Sequence, residues 1–317
     1  MGITDKKILF IDTVHPVLKE ELTRDGWQCD SFPGYGRDDF KKIIGGYTGV
    51  VIRSRIKLDE DFLSVADRLK FIARVGAGME NIDVDYAGKH GIVCLNAPEG
   101  NRDAVGEQAV GMLLALWNNL LTADREVRRG IWEREKNRGM ELGGKTVGII
   151  GYGNTGGAFA RRLSGFGVQV LAYDKYKTGF SDEYVQESAM DTLYEQCDVV
   201  SLHVPLTEET TYLVNKDFIG RFRKPFCLIN TSRGKVVHTI DLVAALEEGK
   251  VSGACLDVLE YEGLSFENIH TKNLSEVFRK LTQMQNVILS PHIAGLTVES
   301  NYKLAMTIVK KIRKLSF

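Results

Sequence analysis

The sequence has few of the features that mark disordered or membrane proteins. Only 6 of its 317 residues are proline, and it contains no low-complexity tract, so disordered tails are not expected. The most apolar segment, 109–121, is interrupted by Trp117, Asn118 and Asn119, and the first residues lack the apolar stretch of a signal peptide. We therefore expect no membrane segment.

Cysteine is scarce as well. Cys29, Cys94, Cys197, Cys227 and Cys255 are odd in number, lie far apart and include no C-x-x-C pair. This spacing fits neither a disulfide framework nor a zinc site. We expect a cytoplasmic protein that holds no metal.

The sequence also has no excess of charge of either sign. The 41 lysines and arginines nearly balance the 42 acidic residues, which gives a formal net charge of −1. No overall field therefore favours nucleic acid or an anionic membrane. Any anion must be bound by local groups, and we expect a small-molecule partner.

Short apolar runs alternate with amphipathic stretches along the chain, a pattern typical of parallel α/β sheets. The first series has apolar runs at 8–11, 50–52, 71–73 and 93–95, with amphipathic stretches at 16–25 and 59–68. The second series follows Gly143-Gly144 and has runs at 146–150, 169–173, 199–202, 227–230, 253–256 and 287–289. We predict two doubly wound α/β domains in tandem, in keeping with the chain length.

Two further stretches have helical periodicity. Between the two series we predict one long helix, from about Asp103 to Arg129, as a core or inter-domain element. The last segment, 298–315, is again amphipathic and is predicted to return to the first domain.

A G-x-G-x-x-G motif at 151–156 directly follows the predicted strand 146–150 and opens a helix. Its glycines permit a tight turn, close approach of a pyrophosphate and close helix packing, and the helix N-terminus faces the anion. Asp174 ends the next apolar run, 18 residues after Gly156, where a ribose-binding carboxylate is expected. Because this carboxylate repels a 2′-phosphate, we predict NAD rather than NADP, with Lys175 weakening the preference.

Three side chains suit the reduction of a 2-keto acid, which needs a cation for the carboxylate and a proton donor for the developing alkoxide. Arg233, Glu262 and His292 each follow an apolar run, where the crevice of a parallel sheet lies. A carboxylate beside the histidine favours its charged form. Taken singly, each residue is more often structural or solvated than catalytic, so the residues alone make these three candidates.

Several motifs in fixed order resemble those of the D-isomer-specific 2-hydroxyacid dehydrogenases. They are GYGNTG at 151–156, Asp174, HVPLT at 203–207, NTSRG at 230–234, Asp257 with Glu262, SPHIAG at 290–295, RVGAGMENID at 74–83 and NRDAVGE at 101–107. The resemblance spans nearly the whole chain.

The resemblance implies an NAD-dependent enzyme that transfers hydride between nicotinamide and a small D-2-hydroxy or 2-keto acid. It implies that Arg233 binds the substrate carboxylate and carbonyl, that His292 exchanges the proton, and that Glu262 supports His292. The residues that it assigns to NAD are Gly151, Gly153, Asn154, Thr155, Gly156, Asp174, His203, Val204, Pro205, Thr210, Thr231, Ser232, Asp257, Ala294 and Gly295.

The same resemblance implies a domain plan. Two Rossmann-like parallel-sheet domains are expected, with the NAD-binding domain at 102–293 inserted into a discontinuous substrate-binding domain of residues 1–101 and 294–317. A homodimer formed through the nucleotide domain is expected too.

Within the family, Arg53-Ser54 and Arg74 look like the D-3-phosphoglycerate dehydrogenase branch, where arginines at matching positions approach the substrate phosphate. A bidentate guanidinium suits phosphate, so we expect conversion of D-3-phosphoglycerate to 3-phosphohydroxypyruvate in serine biosynthesis. The residues expected to bind substrate are Arg53, Ser54, Arg74, Val75, Gly76, Ala77, Gly78, Arg233 and His292. Alternatively, the two arginines pair with surface acids or bind another anion.

Other functions stay open at this point. A glyoxylate or hydroxypyruvate reductase, or a D-lactate-like dehydrogenase, would use the same residues without a phosphate site. A nucleotide-sensing binding protein is the alternative of another class, since transcriptional corepressors that resemble the family retain the three candidate residues.

Two features depart from the family pattern. The sequence stops at Phe317 without the serine-sensing regulatory domain of some phosphoglycerate dehydrogenases, so we expect no serine inhibition through such a domain. Proline often follows the catalytic glutamate in the family, whereas here Gly263 begins a longer stretch to Gln285, with a predicted helix at 274–281. This stretch leaves the fine substrate specificity open.

Overall fold

The computed structural model describes residues 6–263 and 276–316. These residues divide into two compact units, one of residues 6–102 and 296–316 and the other of residues 103–263 and 276–295. The second unit is therefore inserted in sequence into the first. Within the described ranges, no helix is both long and apolar enough to cross a membrane.

Strands and helices alternate through both units. The strands are β1 (Lys7–Phe10), β2 (Gln28–Ser31), β3 (Gly49–Ile52), β4 (Phe71–Arg74), β5 (Val93–Leu95), β6 (Thr146–Ile150), β7 (Gln169–Tyr173), β8 (Gln186–Glu187), β9 (Val199–Leu202), β10 (Phe226–Asn230), β11 (Val251–Leu256) and β12 (Val287–Leu289). The helices are α1 (Pro16–Arg24), α2 (Arg37–Ile43), α3 (Glu60–Leu63), α4 (Val84–Lys89), α5 (Pro98–Trp117), α6 (Leu120–Arg128), α7 (Asn154–Leu163), α8 (Met190–Gln196), α9 (Lys216–Gly220), α10 (Thr239–Glu247), α11 (Glu276–Gln283) and α12 (Val298–Ile312).

The described part of the first unit contains a five-stranded parallel sheet in the order β2-β1-β3-β4-β5. Successive side chains of β1 point to opposite faces: Leu9 packs with Phe40 of α2 on one face, and Ile8 packs with Leu304 and Ile308 of α12 on the other. Helices therefore cover both faces, as a parallel sheet requires.

The described part of the second unit contains a seven-stranded parallel sheet in the order β12-β11-β10-β9-β6-β7-β8. The strand order reverses at β6, which pairs with β7 on one side and β9 on the other. In such sheets, ligands bind outside the carboxyl ends of the strands at the point of reversal. The predicted fold class, two parallel-sheet α/β domains, is confirmed.

Each predicted apolar run forms a strand, but two of the four edge strands of the described sheets, β2 and β8, were not predicted. β2 has the sequence QCDS and is at most half-buried, and β8 has only two residues, Gln186 and Glu187. Edge strands of this kind have neither the apolar run nor the burial on which the prediction depends.

The single helix predicted from Asp103 to Arg129 is wrong. The structure has α5 and α6 instead, separated at Asn118 and Asn119, and Asn119 adopts a φ of 50°. Asparagine enters this left-handed region more readily than most residues, so it ends one helix and starts another. α5 also begins earlier, at Pro98, because proline fits the first turn of a helix.

The remaining predicted helices differ mainly in their bounds. The stretch 59–68 contains the four-residue helix α3, and the stretch 298–315 forms α12. The helix predicted at 274–281 corresponds to α11, although Leu274 and Ser275 lie outside the described residues. The same holds for residues 264–273 of the stretch that departs from the family pattern.

Candidate active site

The G-x-G-x-x-G motif forms the turn between β6 and α7. Gly151 has a φ of +94°, and a Cβ there would lie 2.5 Å from the carbonyl oxygen of His203. A Cβ on Gly156 would overlap the carbonyl oxygen of Gly151. At Gly153, by contrast, no described atom beyond its chain neighbours lies within 4 Å of such a Cβ. Packing therefore requires glycine at 151 and 156, whereas the backbone of Gly153 is open to a ligand.

Asp174 follows β7 and contacts this glycine turn. Its Oδ2 accepts a hydrogen bond from the Tyr152 N–H at 2.8 Å, and its Oδ1 accepts one from the Tyr176 N–H at 3.0 Å. Two backbone donors thus fix the orientation of the carboxylate next to the first turn of α7, where Asn154 and Thr155 lie.

His203 connects the end of β9 with the first turn of α7. Its Nε2 lies 2.9 Å from Ser201 Oγ, and its Nδ1 lies 3.2 Å from Thr155 Oγ1. Burial lowers the pKa of His203 to about 3, so the imidazole is neutral at physiological pH. It acts here as a hydrogen-bonded link between two elements.

The loop after His203 is held by a threonine hydroxyl. Thr210 Oγ1 donates to the carbonyl of Pro205 at 2.6 Å and accepts the N–H of Thr207 at 2.8 Å. Val204 lies against the glycine turn, since its Cγ1 is 3.0 Å from the position of a Cβ on Gly151. The loop is therefore fixed beside the crevice of the second sheet.

His292 and Glu262 are in direct contact. Nδ1 of His292 lies 2.7 Å from Oε2 of Glu262, and the two side chains are only 23% and 14% exposed. The other carboxylate oxygen of Glu262 accepts the N–H of Leu259. The carboxylate is thus held by the backbone of its own turn while it orients the imidazole.

Asp257 shapes the turn that carries His292. The residue is 1% exposed, and its Oδ1 accepts the Ser290 hydroxyl at 2.6 Å and the Ile293 N–H at 2.9 Å. Its Oδ2 accepts the Ala294 N–H at 2.9 Å. His292 has a φ of 54°, which non-glycine residues seldom adopt. The buried carboxylate therefore stabilises a backbone conformation that would otherwise be unfavourable.

Arg233 lies three residues after the end of β10 and precedes a 3-10 turn at Gly234–Val236. Its Nη1 donates to the carbonyl of Ser232 at 2.6 Å. A Cβ on Gly234 would overlap the carbonyl of Leu259, so this turn packs on the one that leads to Glu262. The structure thereby brings together turns that follow the neighbouring strands β10, β11 and β12.

The substrate-binding residues predicted in the first unit lie after β3 and at the end of β4. Arg53 is exposed and Ser54 half-buried, directly after Ile52. Ile52 pairs with Arg74, the last residue of β4. The two arginines therefore lie at the carboxyl ends of two adjacent parallel strands, on the same side of the sheet.

The loop after Arg74 has a fixed backbone. Asn96 Nδ2 donates to the carbonyl of Ala77 at 2.7 Å, and the Ala97 N–H donates to the carbonyl of Gly76 at 2.7 Å. The Arg74 guanidinium occupies the space next to Gly76 that a Cβ would need. Glycine at 76 is therefore required for this position of Arg74.

Comparison with known proteins identifies the family to which the chain belongs. The model of the "D-isomer specific 2-hydroxyacid dehydrogenase, NAD binding domain" matches residues 110–294. The chain belongs to the D-isomer-specific 2-hydroxyacid dehydrogenases. Members of this family use NAD and act on CH–OH donors. The resemblance and the NAD cofactor predicted from the sequence are confirmed.

Three relatives illustrate the range of names within this dehydrogenase family. A hydroxypyruvate reductase of Thermotoga maritima is 37% identical over 88% of each chain. A glyoxylate reductase of Thermofilum pendens is 39% identical over 78% of this chain and 72% of its own. A D-3-phosphoglycerate dehydrogenase of Archaeoglobus fulgidus is 34% identical over 96% of this chain, but the chain spans only 56% of that protein.

Two solved dehydrogenase structures are similar over nearly the whole chain. A D-lactate dehydrogenase from Aquifex aeolicus, complexed with NAD and lactic acid, is 31% identical and has a TM-score of 0.82, covering 96% of this chain and 94% of its own. A D-lactate dehydrogenase from Treponema pallidum is 26% identical and has a TM-score of 0.81, covering 97% and 95%.

The second unit of this dehydrogenase fits the NAD that the family uses. The backbone at Gly153 is open, and Asp174 holds a carboxylate at the end of β7. Thr231 Oγ1 is buried, and no described residue offers it a hydrogen-bond partner. An open glycine, an oriented carboxylate and a hydroxyl that still needs a partner suit a nucleotide with hydroxyl, phosphate and amide groups.

Two residues, Asp12 and Asn81, make supporting hydrogen bonds that were not predicted from the sequence. Asp12 Oδ2 accepts the N–H of Arg53 and that of Arg55, the latter at 3.4 Å. Asn81 Nδ2 donates to the carbonyls of Arg53 and Ile56 at 3.3 and 3.2 Å. Asp12 directly follows the first apolar run, and an acid in that position was the available signal.

Proposed function

We propose that the enzyme interconverts D-3-phosphoglycerate and 3-phosphohydroxypyruvate, a reaction of serine biosynthesis. The observation that carries this proposal is a pair of arginines at the carboxyl ends of adjacent strands of the first sheet. Arg53 follows β3, and Arg74 is the last residue of β4. A phosphomonoester carries close to two negative charges at neutral pH. In a chain with almost no net charge, two guanidinium groups on adjacent strands supply the local cations that such a group needs.

The chemical step is assigned to residues of the second unit. NAD, when bound, would accept the hydride, and NADH would supply it in the reverse direction. Arg233 binds the substrate carboxylate and polarises the carbonyl, because its fixed positive charge stabilises the developing alkoxide. Nε2 of His292 gives a proton to the oxygen that becomes the hydroxyl, and takes it back in the oxidative direction. Glu262 orients the ring through its 2.7 Å contact with Nδ1.

The other predicted residues keep their proposed roles. Ser54 and the 75–78 loop assist in binding substrate, and the first unit is the substrate-binding domain. The residues proposed to contact NAD are Gly151, Gly153, Asn154, Thr155, Gly156, Asp174, His203, Val204, Pro205, Thr210, Thr231, Ser232, Asp257, Ala294 and Gly295.

A homodimer is proposed as the working form, and the surface around α6 supports it. This helix has no buried residue, and large apolar side chains of the helix and the chain after it are exposed: Leu120, Leu121, Val127, Trp132 and Met140, with Trp132 at 76%. Large apolar side chains exposed along one segment favour an interface with another chain. Light scattering should give twice the mass of the chain, and Trp132→Glu should give the monomer; a monomeric wild-type enzyme would contradict the proposal.

A cytoplasmic location is proposed as well. All five cysteines are free thiols, which suits a reducing compartment. Fractionation of the source cells would test this, since activity in an extracellular fraction contradicts it.

Hydroxypyruvate or glyoxylate reduction is the second candidate. It is favoured by the relative named hydroxypyruvate reductase, which matches over 88% of each chain, whereas the chain spans only about half of the phosphoglycerate dehydrogenases that it matches. In this case Arg53 and Arg74 would bind a different anion or serve the fold.

A panel of keto acids, assayed by NADH absorbance, tests these functions. If the proposal holds, kcat/KM is highest for 3-phosphohydroxypyruvate, compared with hydroxypyruvate, glyoxylate and pyruvate. Higher kcat/KM for an acid without phosphate would establish the second candidate. Absence of turnover with retained NADH binding would indicate a nucleotide-sensing protein.

A further inference from the structure

The segment after β7 contains two lysines close to Asp174, and each has a partner inside the protein. Lys175 Nζ forms an ion pair with the carboxylate of Glu209. Lys177 Nζ donates to the carbonyl of Tyr152 at 2.8 Å. The hydroxyl of Tyr176 donates to Oε2 of Glu209 at 2.5 Å, so Glu209 accepts from two consecutive residues of this segment.

The contacts of Glu209 connect segments that follow strands on either side of β6, where the strand order of the second sheet reverses. Glu209 lies in the loop after β9, Lys175 and Tyr176 follow β7, and β7 and β9 flank β6. The hydroxyl of Thr210, next to Glu209, donates to Pro205 and so fixes this part of the loop. Glu209 is therefore held opposite the segment that presents Asp174.

Both partners are charged at neutral pH. The hydrogen bonds from Lys175 and Tyr176 lower the pKa of Glu209, and the hydrogen bond to Glu209 raises the pKa of Lys175. Asp174, Lys175, Lys177 and Glu209 together carry no net charge, whereas without Glu209 the group would carry one positive charge. A 2′-phosphate on the adenine ribose brings close to two negative charges, so its binding depends on whether Lys175 is neutralised.

We propose that Glu209 is a specificity-determining residue, which disfavours NADP by pairing with Lys175 beside the ribose-binding carboxylate. Asp174 repels the 2′-phosphate directly, and Glu209 withdraws the cation that would otherwise attract it. The inference rests on the proposed contact of Asp174 with the ribose, and it does not depend on which hydroxy acid is the substrate.

Fluorescence titration with NADH and NADPH tests the proposal without any hydroxy acid. Glu209→Gln removes one charge and keeps the shape of the side chain. The ratio of Kd for NADPH to Kd for NADH should fall about fivefold at low salt, and this gain should shrink in 0.5 M salt because the attraction is screened. Glu208→Gln, a change at the neighbouring glutamate, is the matched control and should leave the ratio unchanged.

A double variant identifies the cation. Adding Lys175→Met to Glu209→Gln should return the ratio to the wild-type value. The proposal is overturned by an unchanged ratio in Glu209→Gln, by an equal gain in Glu208→Gln, or by a gain that survives loss of Lys175. NADH affinity within about twofold of the wild type shows that each variant is folded, and Asp174→Ala with unchanged NADH affinity would overturn the premise about the ribose.

Discussion

The backbone of Gly234 packs directly on the carbonyl group of Leu259, leaving no room for a Cβ at position 234. Gly234 follows the candidate Arg233. Leu259 begins a turn, and its N–H donates a hydrogen bond to the side chain of the candidate Glu262. The distance between the two turns therefore depends on a residue with no side chain.

Gly234→Ala should lower kcat about a hundredfold, because a displacement near 1 Å in a catalytic group can have that effect. Overpacking should also lower the free energy of unfolding by about 1–3 kcal/mol. Steady-state kinetics and urea denaturation measure both. Gly165→Ala is the matched control, since no atom of the described residues beyond its chain neighbours lies within 4 Å of a Cβ there; equal effects at the two positions would contradict the prediction.

Glu262→Gln should reduce kcat about 10- to 100-fold, the usual effect of losing the partner that orients an active-site histidine. NADH affinity should stay unchanged, because the glycine turn is not involved. His292→Gln should cost more, about 10²- to 10⁴-fold. Glu248→Gln and His90→Gln, at exposed positions, serve as controls. A Glu262→Gln enzyme with wild-type kcat would show that the carboxylate has no role in turnover.

Asp257→Asn should lower the free energy of unfolding by about 2 kcal/mol, since an amide NH₂ would face a backbone donor of the turn that carries His292. Ser290→Ala removes only one of the three groups bound to this carboxylate, so its cost should be near 1 kcal/mol. Urea denaturation gives both values, and the reverse order would refute the assigned contacts.

Arg53→Met and Arg74→Met should each weaken binding of phosphoglycerate far more than turnover of hydroxypyruvate, because only the former substrate carries a phosphate. Initial rates with both substrates give the comparison. Lys57→Met, a loss of an exposed cation from the same loop region, is the control. Equal losses for the two substrates would mean that the arginines do not bind phosphate.

The buried His203 should make the free energy of unfolding depend on pH. Its pKa is about 3 in the folded protein and about 6.5 when unfolded, so the unfolded state binds the proton more strongly between these values. Stability is therefore complete above pH 6.5 and falls as the pH decreases toward 3. Between pH 7.5 and 5.0 the loss from this residue is about 2 kcal/mol. Urea denaturation at pH 7.5 and 5.0 measures the free energy of unfolding lost between these values. This loss should be smaller in His203→Gln than in the wild type by that amount, and equal losses in the two proteins would contradict the prediction.

The sequence predicted the strands that are mostly apolar. Strands such as β6 and β9 are mostly apolar and pack on two cores, so a largely apolar run marks them. β2 and β8 border their sheets and leave no such pattern. The break at Asn119 was not predicted, because asparagine is common in loops and helix ends alike and only the surrounding packing decides its conformation.

The candidate site shows a similar division. Glu262 and His292 each follow an apolar run, and the strand order places the ends of such runs side by side. Asp257 is different: its bonds to Ser290, Ile293 and Ala294 join residues more than 30 positions away, and residue spacing alone does not identify these partners. Glu208 and Glu209 are adjacent and identical in type, so only the backbone of their loop distinguishes the one that contacts Lys175.

The discontinuity of the first unit has a consequence for synthesis on the ribosome. Leu304, Ile308 and Ile312 of α12 fill one face of the first sheet together with Leu18 and Leu22 of α1. A nascent chain must therefore extend through residues 103–295 before that face is covered. The inserted unit can fold during this interval, whereas the sheet of the first unit is left with an apolar surface that chaperones recognise.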